Sequence, residues 1–313
     1  MRVVVAGGAG FLGSHLADAL AARGDQVVIL DDLSSGNLSN VTALIEAGHE
    51  VQICDVAQGV DVNGKVDLVC NLASPASPPF YLEFPLETLA VGSEGTRRLL
   101  ELARNNGARF LQASTSEVYG DPTVHPQPET YWGNVNPVGP RSVYDEAKRF
   151  GEALTMAYAT KLGVDVGIVR IFNTYGPRLD PGDGRVVSNF VRQAMEGSPL
   201  TIYGDGLQTR SLCYVDDLVA GLIAMADSKE LGPINLGNPD ERTMLELASE
   251  VLEVTGSSSE LVFEPLPQDD PTRRCPDISR ATSLLNWAPR VSLREGLTLL
   301  VDYLSSLKAE EGS

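Results

Sequence analysis

The feature that most constrains the fold is a glycine triplet between a strand and a helix at the start of the chain. Residues 2–6 form a short apolar run, and Gly7, Gly10 and Gly13 follow at intervals of three residues. A helical pattern comes next and leads to a second apolar run at residues 26–30. This order predicts a strand, a tight turn, a helix and a second strand that pairs with the first.

Glycines at this spacing let the backbone approach a pyrophosphate, which the amino end of the helix then faces. Asp31 follows the second strand, 18 residues after Gly13. A carboxylate there accepts hydrogen bonds from ribose hydroxyls and would repel a 2′-phosphate. The pattern therefore predicts a dinucleotide site and favours NAD over NADP.

Apolar runs and helical patterns then alternate along most of the chain. Strands are predicted at residues 50–54, 66–72, 108–114, 164–172 and 234–236, with long helices at 86–105 and 143–162. The alternation is typical of an α/β fold with a Rossmann-type, doubly wound parallel sheet. Ligands of such sheets bind at the C-terminal ends of the strands, so we expect the site there.

The regular alternation ends after residue 172, where turn-rich segments begin. We predict a dinucleotide-binding domain made of residues 1–172 and about 211–240. A smaller, mixed α/β substrate-binding lid is predicted from about 173–210 together with 241–313. The segment 119–140 is rich in Pro and Gly, and we expect this long loop to form a wall of the active site.

Tyr144 and Lys148 are four residues apart near the start of a predicted helix and therefore share one face of it. The pKa of a free tyrosine is near 10. An ammonium group about 5 Å away, at an effective dielectric constant of about 20, would favour the phenolate by roughly 3 kcal/mol. We therefore expect Lys148 to lower the pKa of Tyr144, which would act as a base while Thr115 holds the substrate oxygen. An ordinary helical pair is the alternative.

The formal net charge of the 313 residues is −18, which argues against nucleic acid and anionic membranes as partners. Because the protein as a whole is acidic, positively charged side chains must be concentrated near any site that binds a diphosphate. Five arginines are expected in loops of the lid, and as a group they favour a phosphate or carboxylate site, although any one of them could be a solvated surface residue: Arg178, Arg185, Arg210, Arg273 and Arg274.

The cysteines and histidines are widely spaced and form no Cys-x-x-Cys pattern: Cys54, Cys70, Cys213, Cys275, His15, His49 and His125. We expect reduced thiols, a cytoplasmic protein and no zinc site. No apolar run approaches the 18 or so residues of a membrane span, and the chain enters a strand at once, so no signal peptide is expected.

Several motifs together resemble the extended short-chain dehydrogenase/reductase superfamily and, within it, the UDP-glucuronate decarboxylases (UDP-xylose synthases). The resemblance covers nearly the whole chain, and its most specific segments are residues 71–79, 114–120, 144–148, 170–178, 183–190 and 269–274. It implies tightly bound NAD that is reduced and reoxidised in one turnover. The implied reaction converts UDP-glucuronate to UDP-xylose and CO2 through a 4-keto sugar.

The resemblance also implies roles for individual residues. Catalysis is assigned to Thr115, Glu117, Tyr144, Lys148 and Arg274. NAD binding is assigned to Gly7, Gly10, Phe11, Leu12, Gly13, Asp31, Asp32, Ser34, Asp55, Val56, Leu72, Ala73, Tyr144 and Lys148. Substrate binding is assigned to Tyr81, Asn173, Arg185, Tyr203, Arg210 and Arg274.

Three other functions remain open on the same scaffold. Nucleotide-sugar 4,6-dehydratases usually carry an Asp-Glu pair after the threonine, whereas this chain has Ser116 and Glu117. The 4-epimerases usually lack the glutamate, and an inactive NAD-binding regulatory protein would typically lose Tyr144 or Lys148. Many relatives place Asn where this chain has Gly92, so we assign that position no role.

Family members commonly pair two helices into a four-helix bundle across a two-fold axis. The helices 86–105 and 143–162 carry broad apolar stripes, which include Leu99, Leu102, Phe150 and Leu154. We expect a homodimer built from them.

Overall fold

The computed structural model describes residues 1–266 and 273–311 and is organised around a seven-stranded sheet. The strands of the chain are β1 (Arg2–Ala6), β2 (Gln26–Asp31), β3 (Glu50–Ile53), β4 (Leu68–Asn71), β5 (Arg109–Thr115), β6 (Val166–Ile171), β7 (Thr174–Tyr175), β8 (Leu200–Tyr203), β9 (Thr209–Ser211), β10 (Cys213–Tyr214), β11 (Ile234–Leu236), β12 (Glu241–Thr243), β13 (Leu261–Glu264) and β14 (Arg273–Arg274). The large sheet has the order β11-β6-β5-β4-β1-β2-β3, and all its strands are parallel.

Helices cover both faces of this sheet. They are α1 (Phe11–Ala22), α2 (Thr42–Glu46), α3 (Pro78–Glu83), α4 (Pro85–Ala90), α5 (Thr96–Asn106), α6 (Ser142–Leu162), α7 (Val186–Glu196), α8 (Val215–Asp227), α9 (Met244–Thr255), α10 (Ser279–Leu285) and α11 (Leu293–Glu311). The predicted Rossmann-type fold is confirmed, since the order of the strands places the reversal point beside β1.

The valines of β1 show why the sheet is buried. Val3 and Val5 belong to a cluster that includes residues of α1 and α8, whereas Val4 packs in a second cluster with residues of α5 and α6. Successive side chains of a strand point to opposite faces, so a continuous apolar run fits a strand that is covered on both sides.

Three small sheets lie outside the large one, β8–β13, β12–β9–β14 and β7–β10, and the last joins β7 of the predicted lid to β10 of the predicted dinucleotide-binding domain. The apolar side chains of the predicted lid do not form a separate core, because Val187, Leu200 and Leu247 belong to the same buried cluster as Val3 and Val5. The division of the chain into two domains stays a prediction.

Two expectations about the arginines and the long loop are wrong. Arg210 lies in β9, and Arg273 and Arg274 form β14, so these three cations lie on strands and not in loops. The loop was expected to wall the active site, but none of residues 119–140, all of which the structure describes, lines the large cavity. Glu117 and Arg141, which lie just outside this segment on either side, do line the cavity.

The helix predicted at 86–105 is interrupted. A π-helical turn at residues 91–95 separates α4 from α5. Gly92 lies in that turn, and a β-carbon at this position would stand 2.6 Å from Cβ of Ala147 on α6. The absence of a side chain therefore lets the turn pack directly against the helix that carries Tyr144. Among the described residues, no helix has the length and apolar composition needed to cross a bilayer.

Candidate active site

A cavity of about 1760 Å³ opens at the C-terminal edge of the large sheet. Pockets for one small ligand measure roughly 300–1,000 Å³, so a cavity of this volume suits two ligands side by side. Every residue that the sequence assigned to catalysis, to NAD or to the substrate lines this one cavity. The individual roles stay predictions, but the fold brings all of these side chains together.

The glycine turn fits a dinucleotide. Gly7 has φ +74°, and a β-carbon on Gly13 would stand 1.9 Å from the Gly7 carbonyl oxygen, so no other residue fits at that approach. Gly10 is the N-cap of α1, and no side chain caps the backbone N–H groups of the first turn of this helix. Phe11 and Leu12, which lie in that turn, line the cavity. The amino end of α1 therefore offers backbone N–H groups to phosphates.

Asp31 also supports the turn. Its carboxylate accepts hydrogen bonds from the backbone N–H groups of Ala9 (2.9 Å) and Leu33 (2.9 Å). Burial raises its pKa even so. Asp32 accepts from both the N–H (2.9 Å) and the hydroxyl (2.6 Å) of Ser34. The two carboxylates thus order the loop on which an adenosine ribose would rest.

Three of the predicted catalytic residues, Thr115, Tyr144 and Lys148, are buried at the end of β5 and the start of α6. Thr115 Oγ1 accepts from the N–H of Glu117 at 3.2 Å, which leaves its own hydroxyl proton free to point at a neighbour. The Tyr144 hydroxyl is that neighbour. Lys148 Nζ lies 5.8 Å from the centre of the Tyr144 ring and donates to the carbonyl oxygen of Ala113 at 3.0 Å.

The expectation that Lys148 lowers the pKa of Tyr144 is wrong for the protein without ligands. Burial raises the pKa of Tyr144 above its usual value, and the contact with Thr115 only partly offsets this. Burial also lowers the pKa of Lys148 to about 8. Desolvation is the largest influence on both groups, and a prediction from the spacing of Tyr144 and Lys148 does not include it.

Tyr81 stacks on Tyr144. The ring centres are 5.2 Å apart and the planes differ by 9°. The Tyr81 hydroxyl is buried without a hydrogen-bond partner among the described residues, and burial raises its pKa to about 12. It therefore reaches the cavity as a neutral donor for a ligand.

A carboxylate between two guanidinium groups lies beside these tyrosines. Arg141 donates to Glu117 Oε2 at 2.9 Å, and Arg274 contacts the other oxygen of Glu117. Arg274, which is 2% exposed, also donates to Ser116 (3.2 Å) and to the carbonyl of Gly120 (2.9 Å). Burial alone would raise the pKa of Glu117, but the two arginines reverse this and hold it below its usual value.

Arg141 and Asp145 were missed by the sequence reasoning. A guanidinium group at the amino end of a helix is repelled by the helix dipole unless a carboxylate pairs with it. The position of Arg141 directly before α6 therefore indicated that an acidic partner lies nearby. Asp145 is 6% exposed, and burial with repulsion from Glu117 raises its pKa to about 7. No local pattern distinguishes it from an ordinary acidic residue in the first turn of a helix.

The arginines of the lid differ in their surroundings. Arg178 pairs with Asp18 at 2.7 Å, and Arg185 pairs with Asp183 at 2.5 Å while lining the cavity. Arg273 is exposed and lies outside the cavity. Of the 269–274 motif, residues 269–272 lie outside the described residues.

Known proteins match this chain over nearly all of its length. Residues 3–237 match the family described as the NAD dependent epimerase/dehydratase family. The chain belongs to that family. The predicted membership in the extended short-chain dehydrogenase/reductases is thereby confirmed, and NAD is the cofactor of this NAD-dependent family.

Within the family, the chain is similar to both decarboxylases and epimerases. It is 53% identical to UDP-glucuronic acid decarboxylase 1 of Arabidopsis thaliana over 302 residues, which cover 96% of this chain and 69% of that protein. It also resembles the crystal structure of UDP-glucose 4-epimerase of Thermotoga maritima with UDP-glucose, at 30% identity, TM-score 0.89 and coverage of 98% and 100%.

A third relative is described with both ligands bound. UDP-glucuronic acid 4-epimerase of Bacillus cereus, in complex with UDP-glucuronic acid and NAD, is 29% identical with a TM-score of 0.86, over 98% of this chain and 100% of that one. Two ligands in that protein agree with the volume of the cavity described above.

Proposed function

We propose that this enzyme decarboxylates UDP-glucuronate to UDP-xylose and CO2. The observation that carries the proposal is the partly buried Glu117 held between Arg141 and Arg274, next to Thr115 and Tyr144. The predicted base and the carboxylate–guanidinium cluster line the same cavity, which supports their action on one sugar. The 53% identity with a UDP-glucuronic acid decarboxylase supports the same conclusion.

The first task of the protein is to take the proton of the sugar 4-hydroxyl. Tyr144 is the base, Thr115 orients the oxygen, and Lys148 stabilises the phenolate. NAD, when bound, accepts the hydride from C4 and returns it at the end of the turnover. Burial raises the pKa of Tyr144, and the positive charges of Lys148 and of the bound cofactor would act in the opposite direction by favouring the phenolate.

The second task is to release CO2. A ketone at C4 makes the sugar acid a β-keto acid, whose C–C bond electrons pass to the ketone oxygen as CO2 leaves. Thr115 and Tyr144 stabilise that oxygen. Arg274 is a buried cation on β14 that contacts Glu117, and we assign the later protonation at C5 to this pair.

The third task is to hold the nucleotide diphosphate. Arg185, Arg210 and Arg274 line the cavity and provide positive charge in a protein whose net charge is −18. Guanidinium groups suit bidentate contacts to phosphate oxygens. Asn173 and Tyr203 lie on the same wall and complete the substrate-binding side.

The deciding experiment supplies UDP-glucuronate without added NADH and identifies the product by mass spectrometry and proton NMR. UDP-xylose with one CO2 per turnover is expected, because the hydride is returned. UDP-4-keto-pentose with stoichiometric NADH would show that the reduction is omitted. An epimerised UDP-uronic acid, or a 4-keto-6-deoxy sugar from a nucleotide-activated glucose, would replace the decarboxylase with an epimerase or a dehydratase.

We also propose that the enzyme is a cytoplasmic homodimer. Leu86 on α4 is 74% exposed and Phe150 on α6 is 49% exposed, and these two helices pack side by side. Leu99, which belongs to the apolar stripe of α5, is buried in the core and lies on the part of that stripe that faces the sheet. All four cysteines are unpaired, as in a reducing compartment.

A further inference from the structure

Three side chains that suit a transition metal meet outside the cavity. They are His125 in the long loop, Glu241 in β12 and Cys275 directly after β14. One ligand atom from each lies within 4.8 Å of the other two, and His125 Nε2 is 3.0 Å from Glu241 Oε2. The residues are 116 and 34 positions apart in sequence, so the scattered histidines and cysteines of the chain gave no sign of this cluster.

The small sheet β12–β9–β14 explains why two of them meet. Glu241 pairs with Ser211 of β9, and Arg274 pairs with Arg210. Cys275 is the next residue after Arg274, and its thiol lies beside the Ser211 side chain, so Glu241 and Cys275 flank Ser211. Successive side chains alternate between faces, so Cys275 points away from the side on which Arg274 reaches the active site.

The backbone around the cluster is well anchored. The N–H of Gln127 donates to the carbonyl of Cys275 (2.9 Å), and the side-chain oxygen of Gln127 accepts from the N–H of Cys275 (2.9 Å). The hydroxyl of Thr209 donates to Glu241 Oε1, which leaves Oε2 toward His125. The ligands therefore project from segments that are already joined.

The cluster is accessible to an ion from solvent, and a buried hydroxyl lies beside it. The side chains of His125 and Glu241 are 30% and 26% exposed, so an ion can enter from solvent. The Ser211 hydroxyl is buried beside the Cys275 thiol. Among the described residues, no group lies within hydrogen-bonding geometry of this hydroxyl. It is placed to donate to a thiolate.

We propose that His125, Glu241 and Cys275 bind a divalent transition-metal ion of the Zn²⁺ class. One nitrogen, one carboxylate oxygen and one sulfur are ligands that Zn²⁺ accepts, and water completes a tetrahedron. Tetrahedral ligands at zinc distances are roughly 3.5 Å apart, so the three atoms need only small side-chain rotations. The Cys275 thiol, which donates to the carbonyl of Pro239 at 3.5 Å, gives its proton to solvent on binding.

The ion would act on the active site indirectly. Cys275 follows Arg274, which holds Glu117, and the loop of His125 begins at Gly120, whose carbonyl accepts from Arg274. A metal that joins these segments would restrict the strand and the loop that position Arg274. The proposal does not depend on which reaction the active site performs.

Cobalt provides the test, because Co²⁺ replaces Zn²⁺ and absorbs visibly when tetrahedral. The full chain is treated with chelator, dialysed and titrated with Co²⁺. We expect one equivalent to produce a sulfur-to-cobalt charge-transfer band and visible bands that Zn²⁺ abolishes. Hydrogen exchange should slow in the peptides that contain His125 and Cys275.

Variants assign the ligands. Cys275→Ser should abolish the charge-transfer band, and His125→Gln or Glu241→Gln should weaken Co²⁺ binding by more than the roughly 10- to 100-fold cost of losing an outer-shell partner. Cys54→Ser, which removes a half-buried cysteine elsewhere, should leave the titration unchanged. Circular dichroism and NAD affinity verify that each variant is folded. A band that is absent, survives Cys275→Ser or disappears in Cys54→Ser would overturn the proposal.

Discussion

At the scale of single residues, the buried groups around Tyr144 have pKa values far from their usual ones. Burial raises the pKa of Tyr144 and lowers that of Lys148 to about 8, so each group resists its charged form before ligands arrive. Glu117 is the exception, because two arginines keep it ionised. Without ligands, the ionised carboxylate of the site is therefore Glu117, and Tyr144 is a neutral phenol.

Replacement of Tyr144 by Phe tests the base. The variant keeps the ring that stacks on Tyr81, so fold and NAD affinity should hardly change. Turnover of UDP-glucuronate should fall by about 10² to 10⁴, the contribution of general-base catalysis. Tyr158→Phe is the matched control on α6, where the hydroxyl donates to Glu101 at 2.5 Å. Turnover within a factor of two of the parent would remove Tyr144 from the mechanism.

Asp145 predicts a pH-dependent stability. Its pKa is raised from 3.8 to about 7 in the folded protein, which therefore retains a proton that the unfolded chain releases. This contribution to the free energy of unfolding is complete below about pH 4 and is lost as the pH rises to about 7. Asp145→Asn stays neutral and should gain stability relative to the parent between pH 5 and pH 8.

The measurement is chemical unfolding at those two pH values. Glu146→Gln, which removes the next carboxylate of α6, should show no such gain. A difference between parent and Asp145→Asn that is the same at both pH values would mean that Asp145 is already ionised in the fold.

At the scale of elements, α6 connects the chemistry with the surface. One face carries Tyr144 and Lys148 into the cavity, while Phe150 and the neighbouring Leu86 of α4 are exposed. The π-helical turn that follows α4 packs closely against α6 through Gly92 and Ala147, and this contact fixes the distance between the turn and α6. A dimer formed through α4 and α6 would therefore rest directly on the helix that holds the base.

The dimer is tested by placing charge on this surface. The double variant Leu86→Asp, Phe150→Asp should sediment as a single chain at micromolar concentration, because each uncompensated charge buried in an interface costs roughly 3–5 kcal/mol. Leu284→Asp on α10, where the leucine is 43% exposed, makes the same change elsewhere and should remain dimeric. A parent protein that sediments as one chain would contradict the assembly.

At the scale of the whole molecule, one buried cluster joins the sheet to the smaller segments that bring Arg185, Arg210 and Arg274 to the cavity. Thermal unfolding should therefore show one transition. UDP at 100 times its dissociation constant should raise the midpoint by about 4 °C, since it contributes about 2.7 kcal/mol to a chain of this size.

Differential scanning calorimetry provides the measurement, with uridine at the same concentration as the control that lacks the diphosphate. Two separate transitions would show that the two predicted domains unfold independently. An equal shift with uridine would exclude the arginines as the diphosphate site.

The sequence alone determined the local parts of the fold. The glycine turn, the strand before it and the apolar run of β1 follow from backbone geometry and from the alternation of side chains, which act over a few residues. The pairing of Tyr144 with Lys148 on one face of α6 is of the same kind. These features were predicted correctly because each depends on neighbours in the chain.

The tertiary structure alone decided the contacts between distant segments and the solvation of each group. The meeting of Arg141, Glu117 and Arg274, and that of His125 with Cys275, depend on how the sheets pack, which no local spacing records. The pKa of Tyr144 was misjudged for a related reason. Desolvation depends on all the atoms around a group, and those atoms are known only once the chain has folded.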